Sequence, residues 1–232
     1  MAATQSDWLA SLESERGSIG GTSASERVAG ALRTRIIEGE LRPGTRLSEE
    51  KIGGALGVSR NTLREAFHVL GHERLVVHEF NRGVFVRALD ADDIRDLYRY
   101  RRVLEGAAIR QAAVDEPDLT ALEAAVVEGE LAAAAEDWVA LGSANMHFHR
   151  ALAALAGSRR VDEAMQQVLA EMRLVFSMMA DPHTFHAPYL VENQTLLDLL
   201  RRGRYEAAQT ALAHYLDLAQ AQLLQAAQAP SR

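Results

Sequence analysis

Residues 48 to 70 read SEEKIGGALGVSRNTLREAFHVL and hold two helices with almost no chain between them. Ser48 caps the first, with Glu49 and Glu50 in its favourable opening turn. Ile52, Ala55 and Leu56 form its buried face, and Gly57 ends it. Only Val58 then precedes Ser59, whose hydroxyl caps the next helix. So short a connection makes the two helices cross, which is helix-turn-helix geometry. The second helix buries Leu63, Ala66, Phe67 and Leu70 at helical spacing, while Arg60, Asn61, Thr62 and Arg64 crowd its exposed first turns. Such a helix can set its first residues against the base edges of a major groove, where Arg pairs with guanine and Asn with adenine. An amphipathic helix with a solvated basic end fits this segment equally well, so its neighbours must decide.

Those neighbours extend the pattern. From Ser25, Val28, Leu32, Ile36 and Ile37 share one helical face, and Gly39 follows as a terminator. Arg35, near the end of that helix, joins the candidate DNA-contacting residues. LRPGTRLS makes a turn whose Pro43-Gly44 pair fits a type II bend. After the second helix of the pair, residues 75 to 78 and 84 to 87 are short β-rich runs around Asn81-Arg82-Gly83, and read as a hairpin. Gly83 lets backbone approach DNA, and Arg82 can reach phosphate or the minor groove. Residues 24 to 88 therefore form a winged helix-turn-helix domain. Residues 1 to 23, rich in Ser, Gly, Ala and Glu, read as a mobile arm.

From Ala91 onward the period is helical throughout. Helices are expected at 91 to 114, 118 to 136, 137 to 156, 159 to 180, 188 to 202 and 204 to 228. Pro117, Gly157 and Gly203 punctuate them, and Asp181-Pro182 with Pro188 bounds one irregular loop, which carries His183 and His186 as solvated side chains. The fold class is mainly α: the N-terminal winged domain plus a C-terminal all-α six-helix bundle over 91 to 228, able to house a small ligand.

Charge does not oppose this reading. The chain carries a net charge of -7, yet residues 24 to 90 hold 11 Lys and Arg against 9 Asp and Glu, while residues 91 to 232 hold 13 against 20. An acidic C-terminal part leaves the basic N-terminal face to approach DNA. The absence of cysteine excludes disulfides, thiolate metal sites and a cysteine nucleophile. No apolar run of about 18 residues could span a bilayer, and no signal peptide opens the chain, so the expected location is the cytoplasm.

The string GELRPGTRLSEEKIGGALGVSRNTLREAFHVL, followed by a wing with Arg82-Gly83, closely resembles the GntR family of bacterial transcription regulators. The segments LYRYRRVLEGAAIRQAA, NMHFHRALAALAG and RRGRYEAAQTALAHYL are similar to its FCD (FadR C-terminal domain) subgroup. The resemblance covers about residues 24 to 225. It implies a homodimer that binds double-stranded operator DNA through its N-terminal domain and a small-molecule effector through its C-terminal domain. It places Ser59, Arg60, Asn61, Thr62, Arg64 and Gly83 at positions that contact DNA. It also implies that Arg101 faces the effector cavity, where a guanidinium suits a carboxylate, although a surface ion pair within the helix, with Glu105 at i,i+4, fits the residues as well.

Most relatives hold a divalent metal there through an Asp four residues before a His, and two further His residues on later helices. Here the corresponding positions are Asn145, His149, Asn193 and Tyr215, with His214 one residue early. An amide and a phenol are poor substitutes for carboxylate and imidazole, so no metal or other cofactor is expected. Asn145, His149, Asn193 and Tyr215, with Arg101, become candidate effector-binding residues, unless the buried His and Asn merely satisfy each other. Three other readings compete, the first a sensor of the same family that still binds a metal through His149 and His214. An enzyme lacks materials here: there is no phosphate loop, HExxH or evident acid and base pair. An architectural DNA binder without effector would instead have a filled, apolar interior.

Overall fold

The computed structural model describes residues 23–37, 39–114, 117–176 and 182–228. Nearly all of the expected arm, residues 1 to 22, lies outside these, as do Asp181 and the side chains of Ile37 and Pro182. The chain divides into two compact units, one within Met1–Ala88 and Ala170–Ser177, the other within Leu89–Leu169 and Met178–Arg232.

The first unit is built on α1 (Ala24–Ile37), β1 (Arg46–Leu47), α2 (Glu49–Leu56), α3 (Arg60–His72), β2 (Val76–Glu79) and β3 (Gly83–Val86). Val28, Leu32 and Ile36 of α1 are buried with Leu63, Phe67 and Leu70 of α3, as their helical spacing requires. Arg33 makes two hydrogen bonds to the Glu73 carboxylate, at 2.7 and 2.5 Å, tying α1 to the end of α3. Gly44 has φ 81°, and the Thr45 N–H donates to the Arg42 carbonyl at 3.0 Å, so the expected type II bend forms.

That bend leads into β1, which the sequence did not reveal. It pairs antiparallel with β3, Arg46 opposite Phe85 and Leu47 opposite Val84, giving a three-stranded sheet in the order β1-β3-β2. Two residues carry no periodicity of their own, so this strand exists only through its partner. In the hairpin, Val76 lies opposite Val86 and Glu79 opposite Gly83.

The second unit contains α4 (Ala91–Ala112), α5 (Thr120–Ala134), α6 (Trp138–Ala154), most of α7 (Arg159–Phe176), α8 (Pro182–Arg201) and α9 (Tyr205–Gln228). Asp90 and Asp93 form a reciprocal capping box at the start of α4, and Asp137 caps α6. Helix α4 packs on α6 and α9, while α8 packs on α5, α6 and α9. The end of α7 belongs to the first unit. There the buried Glu171 carboxylate accepts from Arg87 at 2.8 Å and Arg74 at 3.4 Å.

The loop expected from Asp181 to Pro188 is helical from Pro182, and Pro188 sits inside α8. A proline interior to a helix costs about 3 kcal/mol. Burial of Phe185, His186 and Tyr189 offsets that cost. His186 is thus a core residue and not a solvated one, and its ring fills space beside Gly142, where an added Cβ would lie 2.8 Å from Nε2. His183 is exposed and packs on Trp138 at 4.2 Å. Among the described residues no helix is long and apolar enough to cross a membrane.

Candidate functional site

Two groups of predicted residues come together, one in each unit. In the first, the Ser59 hydroxyl accepts from the Thr62 N–H at 3.1 Å and lies 2.9 Å from the Thr62 hydroxyl. This cap fixes the start of α3 and leaves Arg60, Asn61 and Arg64 exposed. Arg64 is held by Glu49 of α2 at 3.1 Å, across the crossing of the two helices. On the hairpin, Arg82 pairs with Glu79 and its guanidinium lies over the Phe85 ring at 5.5 Å. Gly83 has φ 111°, in the region that favours glycine, and the Arg46 guanidinium lies 3.4 Å from where a Cβ would stand. The exposed His68 of α3 stacks on the exposed His78 of β2 at 5.5 Å, so the solvent sides of helix and hairpin adjoin.

Arg35 does not join this surface. It is only 2% exposed, and its guanidinium donates to the Ala31 carbonyl at 2.9 Å. Three residues after Leu32 and seven after Val28, Arg35 shares their buried face, so its guanidinium is not presented to solvent with the others.

In the second unit, Arg101, Asn145, His149, Asn193 and Tyr215 are all buried, and four helices bring them together. Arg101 Nε donates to Glu105 Oε1 at 2.8 Å, one turn along α4. The other Glu105 oxygen lies 2.7 Å from His149 Nδ1, and His149 Nε2 lies 2.9 Å from the Tyr215 hydroxyl. Tyr215 donates to Asn145 Oδ1 at 2.9 Å, and that oxygen also accepts from Asn193 Nδ2 at 2.8 Å. The spacing of four between Asn145 and His149 does place both on one helix face. Glu105, the centre of the charged end, was legible only as the i,i+4 neighbour of Arg101. Its contact with His149 spans 44 residues of chain.

The protons follow from the electrostatics. Burial opposes the charge on Glu105, but Arg101 and His149 overcome it and hold the carboxyl down to about 2. Arg101 is buried too, yet Glu105 raises its pKa, so the pair stays ionised. Burial lowers the pKa of His149 and outweighs the opposing pull of Glu105. A neutral ring that donates from Nδ1 to Glu105 offers Nε2 as an acceptor. The single Tyr215 proton therefore faces two acceptors, His149 Nε2 and Asn145 Oδ1. Burial raises the Tyr215 pKa well above that of a free phenol, keeping the proton in place. Two buried atoms of this group, Arg101 Nη2 and Asn193 Oδ1, have no hydrogen-bond partner among the described residues.

This donor set does not fit a divalent transition metal. One imidazole, two amides and a protonated phenol offer little to such an ion, and Asn145 Oδ1 already accepts two hydrogen bonds. His214, the alternative ligand, is exposed on α9. Among the described residues no group of three or more His, Cys, Asp or Glu is placed to hold a metal ion.

Comparison with known proteins agrees with both halves. Residues 24–86 match the gntR family of bacterial regulatory proteins, and residues 96–218 match the FCD domain. A crystal structure described as a transcriptional regulator GntR from Rhodococcus sp. RHA1 is 48% identical, with a TM-score of 0.82 over 91% of this chain and 100% of that one. The uncharacterized HTH-type transcriptional regulator YdhC of Bacillus subtilis is 28% identical over 79% of this chain and 84% of its own length. The gluconate operon transcriptional repressor of Bacillus licheniformis is 40% identical over 36% of this chain and 34% of its own. These relatives are regulators and not enzymes. The chain belongs to the GntR family of bacterial transcription regulators, with an FCD effector-binding domain following its winged helix-turn-helix.

Proposed function

We propose that this regulator binds a roughly palindromic operator as a homodimer in the cytoplasm, and that a metal-free site in its FCD domain senses a small carboxylate. Ser59, Arg60, Asn61, Thr62 and Arg64 meet the major groove, and Arg82 and Gly83 meet the backbone or minor groove. The observation that carries the effector reading is the pair of unpartnered buried atoms, Arg101 Nη2 and Asn193 Oδ1. The first asks for an acceptor such as a carboxylate oxygen, and the second for a donor such as a hydroxyl. Glu105 already offsets the Arg101 charge, so the effector is recognised by directed hydrogen bonds more than by net attraction. The repressor named among the relatives supports repression as the mode of action, which ligand binding would release.

A thermal-shift screen tests this reading, because a ligand that prefers the folded state raises its melting temperature. The set comprises carboxylates, sugar acids, acyl-coenzyme A esters and divalent metals. A carboxylate should stabilise the intact protein and lose that effect in Arg101→Lys, which keeps a cation beside Glu105 but not the planar fork. Elemental analysis should find no stoichiometric zinc, nickel or manganese in the purified protein; one tightly held ion per chain would overturn the metal-free reading. A second reading, an architectural binder without effector, would need an apolar interior, and the buried Arg101, Glu105, Asn145, His149 and Asn193 count against it. A screen without hits, with DNA binding intact, would favour it.

A further inference from the structure

Phe80 stands at the tip of the hairpin and is 90% exposed, the largest exposure among the big apolar side chains described. Its position is set by the backbone. The Arg82 N–H donates to the Glu79 carbonyl at 3.1 Å, and Asn81 takes φ 58°, which closes a tight turn with Phe80 on its outside. The Glu79–Arg82 ion pair spans the same turn. Behind it lie the exposed Arg82 and the exposed Arg46, the latter laid across Gly83. An exposed aromatic ring on a sheet that also carries two exposed cations suits a polyanion whose surface also offers apolar faces. The minor groove of DNA is such a surface, with sugar walls between rows of phosphates, and proteins that enter it commonly insert an apolar side chain at a flexible step.

We infer that Phe80 enters the minor groove of the operator as an apolar wedge, flanked by Arg82 and Arg46 on the phosphates, and that it makes the wing selective for easily deformed base steps. The inference rests on the DNA-contacting role proposed above for α3 and the hairpin. It adds a contact that reads deformability instead of base edges, at positions that α3 does not touch.

The test begins with a duplex selected from a random pool by the full-length protein. Binding is then measured across a salt series for the intact chain and for Phe80→Ala, Phe80→Leu, Arg82→Ala and Arg60→Ala. Phe80→Ala should weaken binding about tenfold, as expected for returning most of a buried ring to water, and Phe80→Leu should recover part of the loss. The dependence of affinity on salt should be unchanged by Phe80→Ala and should fall by about one counterion in Arg82→Ala. Reselection with Phe80→Ala should lose any preference for pyrimidine–purine steps at the wing position. Affinity within twofold of the intact chain for Phe80→Ala, with Arg60→Ala and Arg82→Ala both weakened, would overturn the wedge alone. Unchanged binding in all three variants would overturn the DNA-contacting role with it. An altered oligomeric state at unchanged DNA affinity would make Phe80 a protein contact and overturn the proposal.

Discussion

Replacing Glu105 by glutamine would leave the Arg101 guanidinium buried without an anion. Breaking a buried pair by removing one partner typically costs about 3 to 5 kcal/mol, so Glu105→Gln should unfold at markedly lower denaturant than the parent. A loss below about 1 kcal/mol would mean that water reaches the pair and screens it. His149 gives the same network a pH dependence whose sign can be worked out. Its folded pKa lies below the ordinary histidine value of about 6.5, because burial disfavours the imidazolium. Above about pH 6.5 folded and unfolded chains are both neutral at this position. As the pH drops below that value the unfolded chain takes up a proton that folded His149 refuses, so stability falls. Melting temperature should decline between pH 7 and 5.5, and His149→Gln should flatten that decline; equal slopes in both proteins would assign it to other groups.

Elements differ in how much of themselves they wrote into the sequence. The caps at Ser48 and Ser59 and the stop at Gly57 were legible because each acts on backbone within three or four residues. Ser59→Ala should therefore cost about 1 kcal/mol of stability and weaken operator binding, since the first turn of α3 carries Arg60 and Asn61. Normal binding with unaltered stability would show that α3 needs no cap. Strand β1 was not legible, because its pairing partner lies nearly forty residues on. The start of α8 was misread for the opposite reason: local signals from Pro182 and Pro188 were strong, and tertiary burial of Phe185, His186 and Tyr189 overrode them. In the buried network of the second unit, the resemblance pointed to Asn145, His149, Asn193 and Tyr215, and the spacing of four put the first two on one helix face. Neither could show that Glu105 bridges Arg101 and His149, since that depends on how α4 faces α6.

At the scale of the whole molecule, a homodimer should have twice the 25.4 kDa mass of one chain by light scattering at micromolar concentration. A monomer that still binds the selected duplex would remove the palindromic operator from the proposal. The buried network also bears on descent. Asn145, His149, Asn193 and Tyr215 already converge, with neighbouring polar atoms 2.8 to 2.9 Å apart, and Glu105 already orients the imidazole as a carboxylate does behind a metal ligand. Exchanging Asn145 for Asp, and Asn193 and Tyr215 for His, would assemble one carboxylate and three imidazoles on an unchanged backbone. The triple variant should take up a zinc or nickel ion per chain that the parent does not, as dialysis and elemental analysis would reveal. Three exchanges would then separate sensing through a metal from sensing through hydrogen bonds, a distance short enough for a lineage to have crossed in either direction while its DNA-reading half stayed the same.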